Sequence, residues 1–531
     1  MSGIADEKQD SGIFAILAAI NNTKTMKVRQ LLIVIAALAL CACDKHGTDP
    51  VIPDVSSDAV FSFFKEINAV PRPSLHEEKM REYLTSFAQA RGLRCQDAGG
   101  NIIIYKDATS GMEQVPTVVL QTHMDMVCVA AEGYSIDFLT TGIEQETVGG
   151  YIQSKGNKTS LGADNGIGVA IVLAILDSKE VRHGPLECLF TWNEESGMSG
   201  AAALEPGILK GKYMLNIDSE EDGYLLVGTA GSVSVNAGWM YTPEVAPTGY
   251  APFQLRVSGL AGGHSGVKIN DGGANANKLI ADFLAEERIA YRLVSFDGGS
   301  VANAITTQAT SVVLVPIDEI SNFTQDFDNF MAVAKARHQD VDLDMSCEAH
   351  NILGTISCIP DDAAACLIEG LSKSPQGVIE WSAVVEGIFE LSNNIGIVVT
   401  EEDNWYVREM PRGFNMPGLE RVASDIAGAF PGAEITMTDR FAPWSPDING
   451  SLITYARDVY DGMHTQPIGL FIVGGGVEAS MFSVTYPDMQ IICYGPTILD
   501  AHTIMERVEI STVENVWKYT LHLLGEMSKL K

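Results

Sequence analysis

Residues 117–127 read TVVLQTHMDMV, and the fold turns on that stretch. A short apolar run, Thr117–Thr122, is rich in β-branched side chains and ends on His123-Met124-Asp125. A short β-rich apolar run of that kind predicts a strand. Three more runs repeat the design: Leu186–Trp192 ends at Glu194-Glu195, Tyr213–Ile217 ends at Asp218, and Met489–Tyr494 precedes His502. Leu470–Val473 is a further strand candidate. Gly166–Leu176, apolar on nearly all sides, predicts a buried helix entered through LGADNGIG, with Asp164 at its start. Strands alternating with helices from about Ala59 onward define an α/β class with a mixed sheet.

The texture changes after Gly231. Strand-like FQLRVSGL, a glycine-rich turn, a helical stretch from Asn275 to Glu287 and strand signals at Ala309–Val315 and Gly396–Thr400 predict an inserted α+β unit over 232–422. That leaves 55–231 and 423–531 as the two parts of one domain. At 531 residues the chain needs at least two folded units. With 46% hydrophobic and 19% charged residues, its composition is that of a globular protein without a low-complexity region. The net charge of −33, with no basic stripe to offset it, argues against nucleic-acid binding.

Residues 1–43 form a leader on this reading. From Met26, Lys27 and Arg29 precede the apolar run Leu31–Leu40 and the segment Leu40-Cys41-Ala42-Cys43. The run of about 10 residues is half of what spans a bilayer. It therefore reads as a removed signal peptide behind an extended start, and LCAC resembles a lipobox acylated at Cys43. The expected location is a bacterial cell envelope, with membrane contact only through that lipid anchor; the alternative is cytoplasmic. The other seven of nine cysteines form no CxxC pair and read as buried free thiols.

In open α/β sheets ligands bind at the carboxyl ends of the strands, so His123, Glu194, Glu195 and Asp218 can converge on one crevice with Asp164 and His502. Taken singly, Asp164 is an ordinary helix N-cap and the others are loop polarity. Five metal-competent residues at the ends of successive elements do not fit independent loop polarity. Asp164, Glu195 and Asp218 supply three negative charges and neutral His123 and His502 supply nitrogen, which balances two Zn²⁺ once hydroxide binds. Such borderline ligands also accept Mn²⁺ or Co²⁺.

The motifs THMDMV, LGADNGIGVA, NEESGMSGA, NIDSEEDG, GGHSG and GPTILDAHT stand in the order seen in the aminoacylase/carboxypeptidase/dipeptidase superfamily of dizinc exopeptidases. The chain resembles its aminoacyl-histidine dipeptidase group from about residue 55 to the C-terminus. The resemblance implies that Asp164 bridges two metals, that His123 and Asp218 complete one site, and that Glu195 and His502 complete the other. It implies Asp125 behind His123, Glu194 as general base toward the attacking water, and an inserted lid and dimerisation domain. From that lid His264 reaches the oxyanion, across a homodimer, while Asn303 and Arg408 hold the substrate. The implied activity is hydrolysis of dipeptides, of Xaa-His type or broader. Rivals are an N-acyl amino acid deacylase or carboxypeptidase of the same superfamily and a non-catalytic binding protein. One departure concerns specificity: Gly474-Gly475-Gly476-Val477-Glu478 stands where the group has His-Ala-Gly-Leu-Glu, so Gly475 and Gly476 fall at the expected substrate pocket.

Overall fold

The computed structural model describes residues 52–354, 357–383 and 385–530. The expected leader and Cys43 lie outside them. Among the described residues no helix is long and apolar enough to cross a membrane. Their seven cysteines are free thiols.

The strand Val118–His123 is buried along its whole length, as its apolar run demands. It lies between Leu186–Thr191 and Tyr213–Asn216, and all three run parallel. They belong to an eight-stranded mixed sheet that adds Arg94–Ala98 and Asn101–Lys106 at one edge. At the other edge it adds Gln490–Cys493, Tyr224–Thr229 and Gly469–Val473, so strands from before residue 230 and after residue 468 share one sheet. The helix Ala163–Asp177 covers this sheet and buries every side chain from Ile167 to Leu176, so it has no polar face to offer water. Burying a single leucine or isoleucine is worth about 1.5–3 kcal/mol, which is why a helix of this composition packs inward.

An eleven-stranded antiparallel sheet occupies the chain between those two parts, from Gly231 to Phe441. Its long strands Gly231–Met240, Tyr250–Ser258 and Ala309–Pro316 bury one face against the helices Ala276–Glu286, Ile320–His338, Asp361–Lys373 and Met416–Ala429. Edge-on ring contacts of Phe283 with Phe323 and Phe327, at 5.4 and 5.1 Å between centroids, centre that core. The sheet's last strand, Glu434–Phe441, pairs with Gly231–Met240 and so carries the sheet past residue 422.

Glu409 is fully buried in this second core. Its Oε2 accepts from Asn393 Nδ2 at 2.6 Å, and its other oxygen has no aligned donor among the described residues. Burial pushes its carboxyl up to about 7 against the opposite pull of Ser374, Asn393 and Lys278. A carboxyl raised in the folded state holds its proton while the unfolded chain loses it. Stability is therefore lost from about pH 4.5 to about 7 and stays lost above that, by up to about 3 kcal/mol. Glu409→Gln is expected to melt higher than wild type at pH 8 and to match it at pH 4; equal melting temperatures at pH 8 refute the assignment.

Candidate active site

His123 is the last residue of its strand, and Glu194, Glu195 and Asp218 follow within four residues of the two strands beside it. Adjacent parallel strands stand about 4.8 Å apart, so the fold itself delivers these side chains to one edge. Asp164 arrives from the loop that enters the buried helix, where Gly162 takes the left-handed φ of 73°. His502 reaches in from the turn after Ile498–Leu499.

The distances are short. His123 Nε2 lies 2.9 Å from Asp164 Oδ1 and 3.3 Å from Asp218 Oδ1. His502 Nε2 lies 3.1 Å from Asp164 Oδ2 and 3.0 Å from Glu195. The two carboxylate oxygens of Asp164 thus face different histidines. Ligand atoms of His123, Asp164 and Glu195 all fall within 4.8 Å of one another. They line a crevice of about 800 Å³ with Glu194, Asp218, Gly476 and His502, within the size of small-molecule sites. The apolar part of its lining comes from Leu226, Phe471, Val473, Val477, Ile498 and Leu499.

The electrostatics call for cations. Burial, together with Asp218, Glu478 and Glu195, pushes the Glu194 carboxyl up to about 9, against the pull of His123. Asp218 is raised to about 6 by burial and by Asp164 and Glu195, with His123 opposing. Hydrogen bonds that its ring N–H donates to Asp164 and Glu195 raise His502 to about 11, outweighing its partial burial. Burial works against a charge on His123, but Asp218, Asp125 and Asp164 outweigh it and raise its pKa. Asp164 is lowered because those histidines outweigh its burial. Divalent cations relieve this crowding of carboxylates. Buried Asp218 Oδ1 has no aligned hydrogen-bond partner among the described residues, and the nitrogen and oxygen donor set fits transition metals.

Asp125, fully buried, does more than face His123 Nδ1 at 3.3 Å. Its Oδ1 accepts from the Glu194 backbone N–H at 3.0 Å, and its Oδ2 accepts from Ser74 Oγ at 2.7 Å and the Glu195 N–H at 3.3 Å. One carboxylate holds the histidine and both glutamates in register. Spacing along the chain carries no trace of this link.

Of the remaining expected residues Gly476 lines the crevice, and His264, Asn303, Arg408 and Gly475 lie apart from its wall. His264, exposed, caps the short helix Ser265–Lys268, and its Nδ1 accepts from the Gly266 N–H at 3.2 Å. The Asn303 backbone C=O accepts from the Ser265 N–H at 2.7 Å. Arg408 donates through Nε to Asn236 Oδ1 at 2.7 Å and Tyr406 OH at 2.8 Å. The His264 loop touches the glycine segment backbone to backbone: a Cβ on Gly266 would lie 2.4 Å from the Gly474 carbonyl oxygen. Gly475 is open, and Gly476 packs on Phe441.

Three charged residues near this site escape a reading of the sequence. Arg412, 5% exposed, donates to Gly474 C=O at 2.5 Å and Ser265 Oγ at 3.3 Å, bridging the two loops. Its guanidinium has no carboxylate partner among the described residues, and burial alone lowers it to about 10. Glu220 lines the crevice outside the expected ligand set. Glu478, wholly buried, accepts from Gln121 Nε2 at 2.7 Å and Thr191 Oγ1 at 2.6 Å beneath it. Glu220 is legible only as one acid among several in NIDSEEDG, and Arg412 only as a second arginine four residues after Arg408.

Nitrogen and oxygen donors at the carboxyl edge of three parallel strands, with a carboxylic acid standing beside them, fit a metal-dependent hydrolase. Residues 119–526 match peptidase family M20/M25/M40, and the chain belongs to that family. It is a metallopeptidase. It is 33% identical over 481 residues to the cytosol non-specific dipeptidase of Escherichia coli (strain K12), a match that covers 90% of this chain and 99% of that protein. The aminoacylhistidine dipeptidase of Vibrio alginolyticus superposes with a TM-score of 0.86 at 35% identity, over 90% of this chain and 98% of that one. Aminopeptidase PepT from Bacillus cereus ATCC 10987 shares the fold, with a TM-score of 0.53 at 16% identity, over 89% of this chain and 99% of that one.

The first of these relatives corrects the expected location. It is a cytosolic enzyme by name, and it favours the cytoplasmic alternative over a lipoprotein anchored at Cys43. Two cations, about 10 apolar residues and a cysteine make a short pattern of low information, and 481 aligned residues outweigh it.

Proposed function

We propose that this metallopeptidase hydrolyses dipeptides at the crevice of His123, Asp164, Glu195, Asp218 and His502, holding two divalent cations, Zn²⁺ first among the candidates. The observation that carries the reading is Glu194, which stands in the crevice beside the ligand set and outside it. In this reading Asp164 is shared by both cations, with His123 and Asp218 on one and Glu195 and His502 on the other. When bound, such a pair polarises the scissile carbonyl and acidifies water at neutral pH.

The protein's own groups do the rest. Glu194 accepts the proton of the attacking water and returns it to the leaving amine. Asp125 keeps His123 in the tautomer whose Nε2 lone pair faces the site. His264 stabilises the oxyanion as a neutral donor: its Nδ1 is an acceptor, which leaves the hydrogen on Nε2, and the partial burial of its ring and Arg412 lower its pKa. Because His264 does not line the crevice of its own chain, the reading includes a second copy that supplies it. The segment 232–422, extended to Phe441 by its last strand, is the lid and dimerisation unit on this view.

Two anchors set substrate length. Glu220, an acid left over in the crevice, receives the free α-amine, and Arg412, a buried guanidinium without an acid, receives the α-carboxylate. Arg408, with Asn303, is the alternative fork; its Nε is already engaged by Asn236 and Tyr406. Gly475 and Gly476 leave room for the second side chain.

The test is a panel of dipeptides, tripeptides and N-acetyl amino acids on metal-loaded and chelated enzyme. Dipeptides are expected to be cleaved about a hundredfold faster than matching tripeptides, because a misplacement of about 1 Å costs about that much. Preference for N-acetyl amino acids refutes the dipeptidase reading and supports the deacylase. Turnover that survives chelation refutes the metal mechanism.

A further inference from the structure

Glu506 belongs neither to the ligand set nor to the proton path, and it is 2% exposed. Its carboxylate lies against the loop that delivers Asp164. Oε2 accepts from the backbone N–H of Leu161 at 2.7 Å and of Gly162 at 2.9 Å. Oε1 accepts from Ala163 at 2.7 Å and from Asp164 at 3.3 Å. Four successive N–H groups converging on one carboxylate form the cradle that backbone nests offer to anions. Here the anion is the protein's own, 345 residues along the chain from Leu161 and four residues after His502.

The other side of the loop is held by a cation. Arg72, 1% exposed, donates through Nη2 to Gly162 C=O at 2.5 Å and through Nη1 to Asp125 C=O at 2.8 Å. The segment that carries Asp164 is thus gripped by a carboxylate on its N–H side and by a guanidinium on its C=O side. The same guanidinium holds the backbone beside His123. No side chain fits at the crossing: a Cβ on Gly162 would lie 2.5 Å from Arg72 Nη2.

We propose that Glu506, paired with Arg72 through the loop between them, is a positioning residue that presets the Asp164 backbone relative to His123 before any cation binds. The proposal rests on the reading of Asp164 as the ligand common to both cations. His123 and His502 hold the Asp164 side chain, and Glu506 with Arg72 fixes the backbone behind it. A clamp on its backbone keeps both of its oxygens aimed inward at no cost in ligand atoms. Only a two-oxygen acceptor of glutamate's length serves. The substitution Glu506→Gln would set an NH₂ against two N–H donors, and Glu506→Asp leaves a carboxylate one methylene short of spanning the four.

The experiment titrates Zn²⁺ and Mn²⁺ into metal-stripped full-length wild type, Glu506→Gln, Glu506→Asp and Asp164→Asn by calorimetry, with melting curves before and after loading. Both Glu506 variants are expected to bind the cations about 10–100-fold more weakly and to lose part of the melting-temperature gain on loading. At saturating metal their KM stays near wild type while kcat falls. A residue with a merely structural role lowers both melting curves alike and leaves cation affinity unchanged, so affinities within twofold of wild type overturn the proposal. If Asp164→Asn binds both cations as tightly as wild type, the underlying ligand reading fails instead. Should neither Glu506 variant fold, amide exchange on wild type decides. Protected Leu161–Asp164 amides in the metal-free protein support the clamp, and exchange at unprotected loop rates overturns it.

Discussion

Glu194→Gln is expected to lower kcat for a dipeptide by about 10³–10⁴-fold while two cations remain bound. The amide has the shape of the acid and cannot take a proton from water. The atoms of Asp164, Glu195, Asp218, His123 and His502 proposed as ligands are untouched, and the Glu194 N–H still donates to Asp125 Oδ1. The pH profile gives a second readout. In wild type the acid limb of kcat/KM reports deprotonation of the base, and the residual activity of the variant should lose that limb. Near-normal turnover at full metal content refutes the base assignment and moves attention to Glu220, the other acid of the crevice outside the ligand set.

Arg412→Ala is expected to lower kcat/KM for a dipeptide by about 10²–10³-fold, the range for truncating one partner of a buried charged hydrogen bond. The informative comparison is the C-terminally amidated dipeptide. In wild type the amide is the poorer substrate, because it leaves a buried guanidinium without its anion. In Arg412→Ala acid and amide should converge. Arg408→Ala is the control: its guanidinium sits half-buried on the strand Asn404–Glu409, tied to Asn236 and Tyr406, and the acid preference should survive its loss. A preference that disappears with Arg408 and persists without Arg412 reverses the assignment.

The contrast between these two arginines shows where a sequence stops being readable. Both stand in YVREMPR, and no local pattern ranks one above the other. The strand exposes Arg408 to Tyr406 and Asn236, while the short strand Arg412–Gly413 after it buries Arg412 between Ser265 and Gly474, partners more than 60 residues away in either direction. The core strands were legible to within a residue or two. Val118–His123, Leu186–Thr191 and Tyr213–Asn216 are buried on both faces, and such a strand advertises itself by a short, mostly apolar run. The helix over them was legible for the same reason.

By itself the sequence determined the α/β class, the order of its elements and the polar residues that end them, because burial and backbone geometry act locally and leave periodic traces. Even the convergence of His123, Glu195 and Asp218 followed from the ends of neighbouring strands. Only the tertiary structure decided what supports them. Asp125 reaching the N–H groups of Glu194 and Glu195, Glu506 closing on four N–H groups of the Asp164 loop, and Gly266 meeting Gly474 all join residues far apart in the chain. Such contacts come from packing two sheets and their loops together. A buried carboxylate facing a backbone N–H leaves no periodicity behind, since the donor is a group that nearly every residue carries.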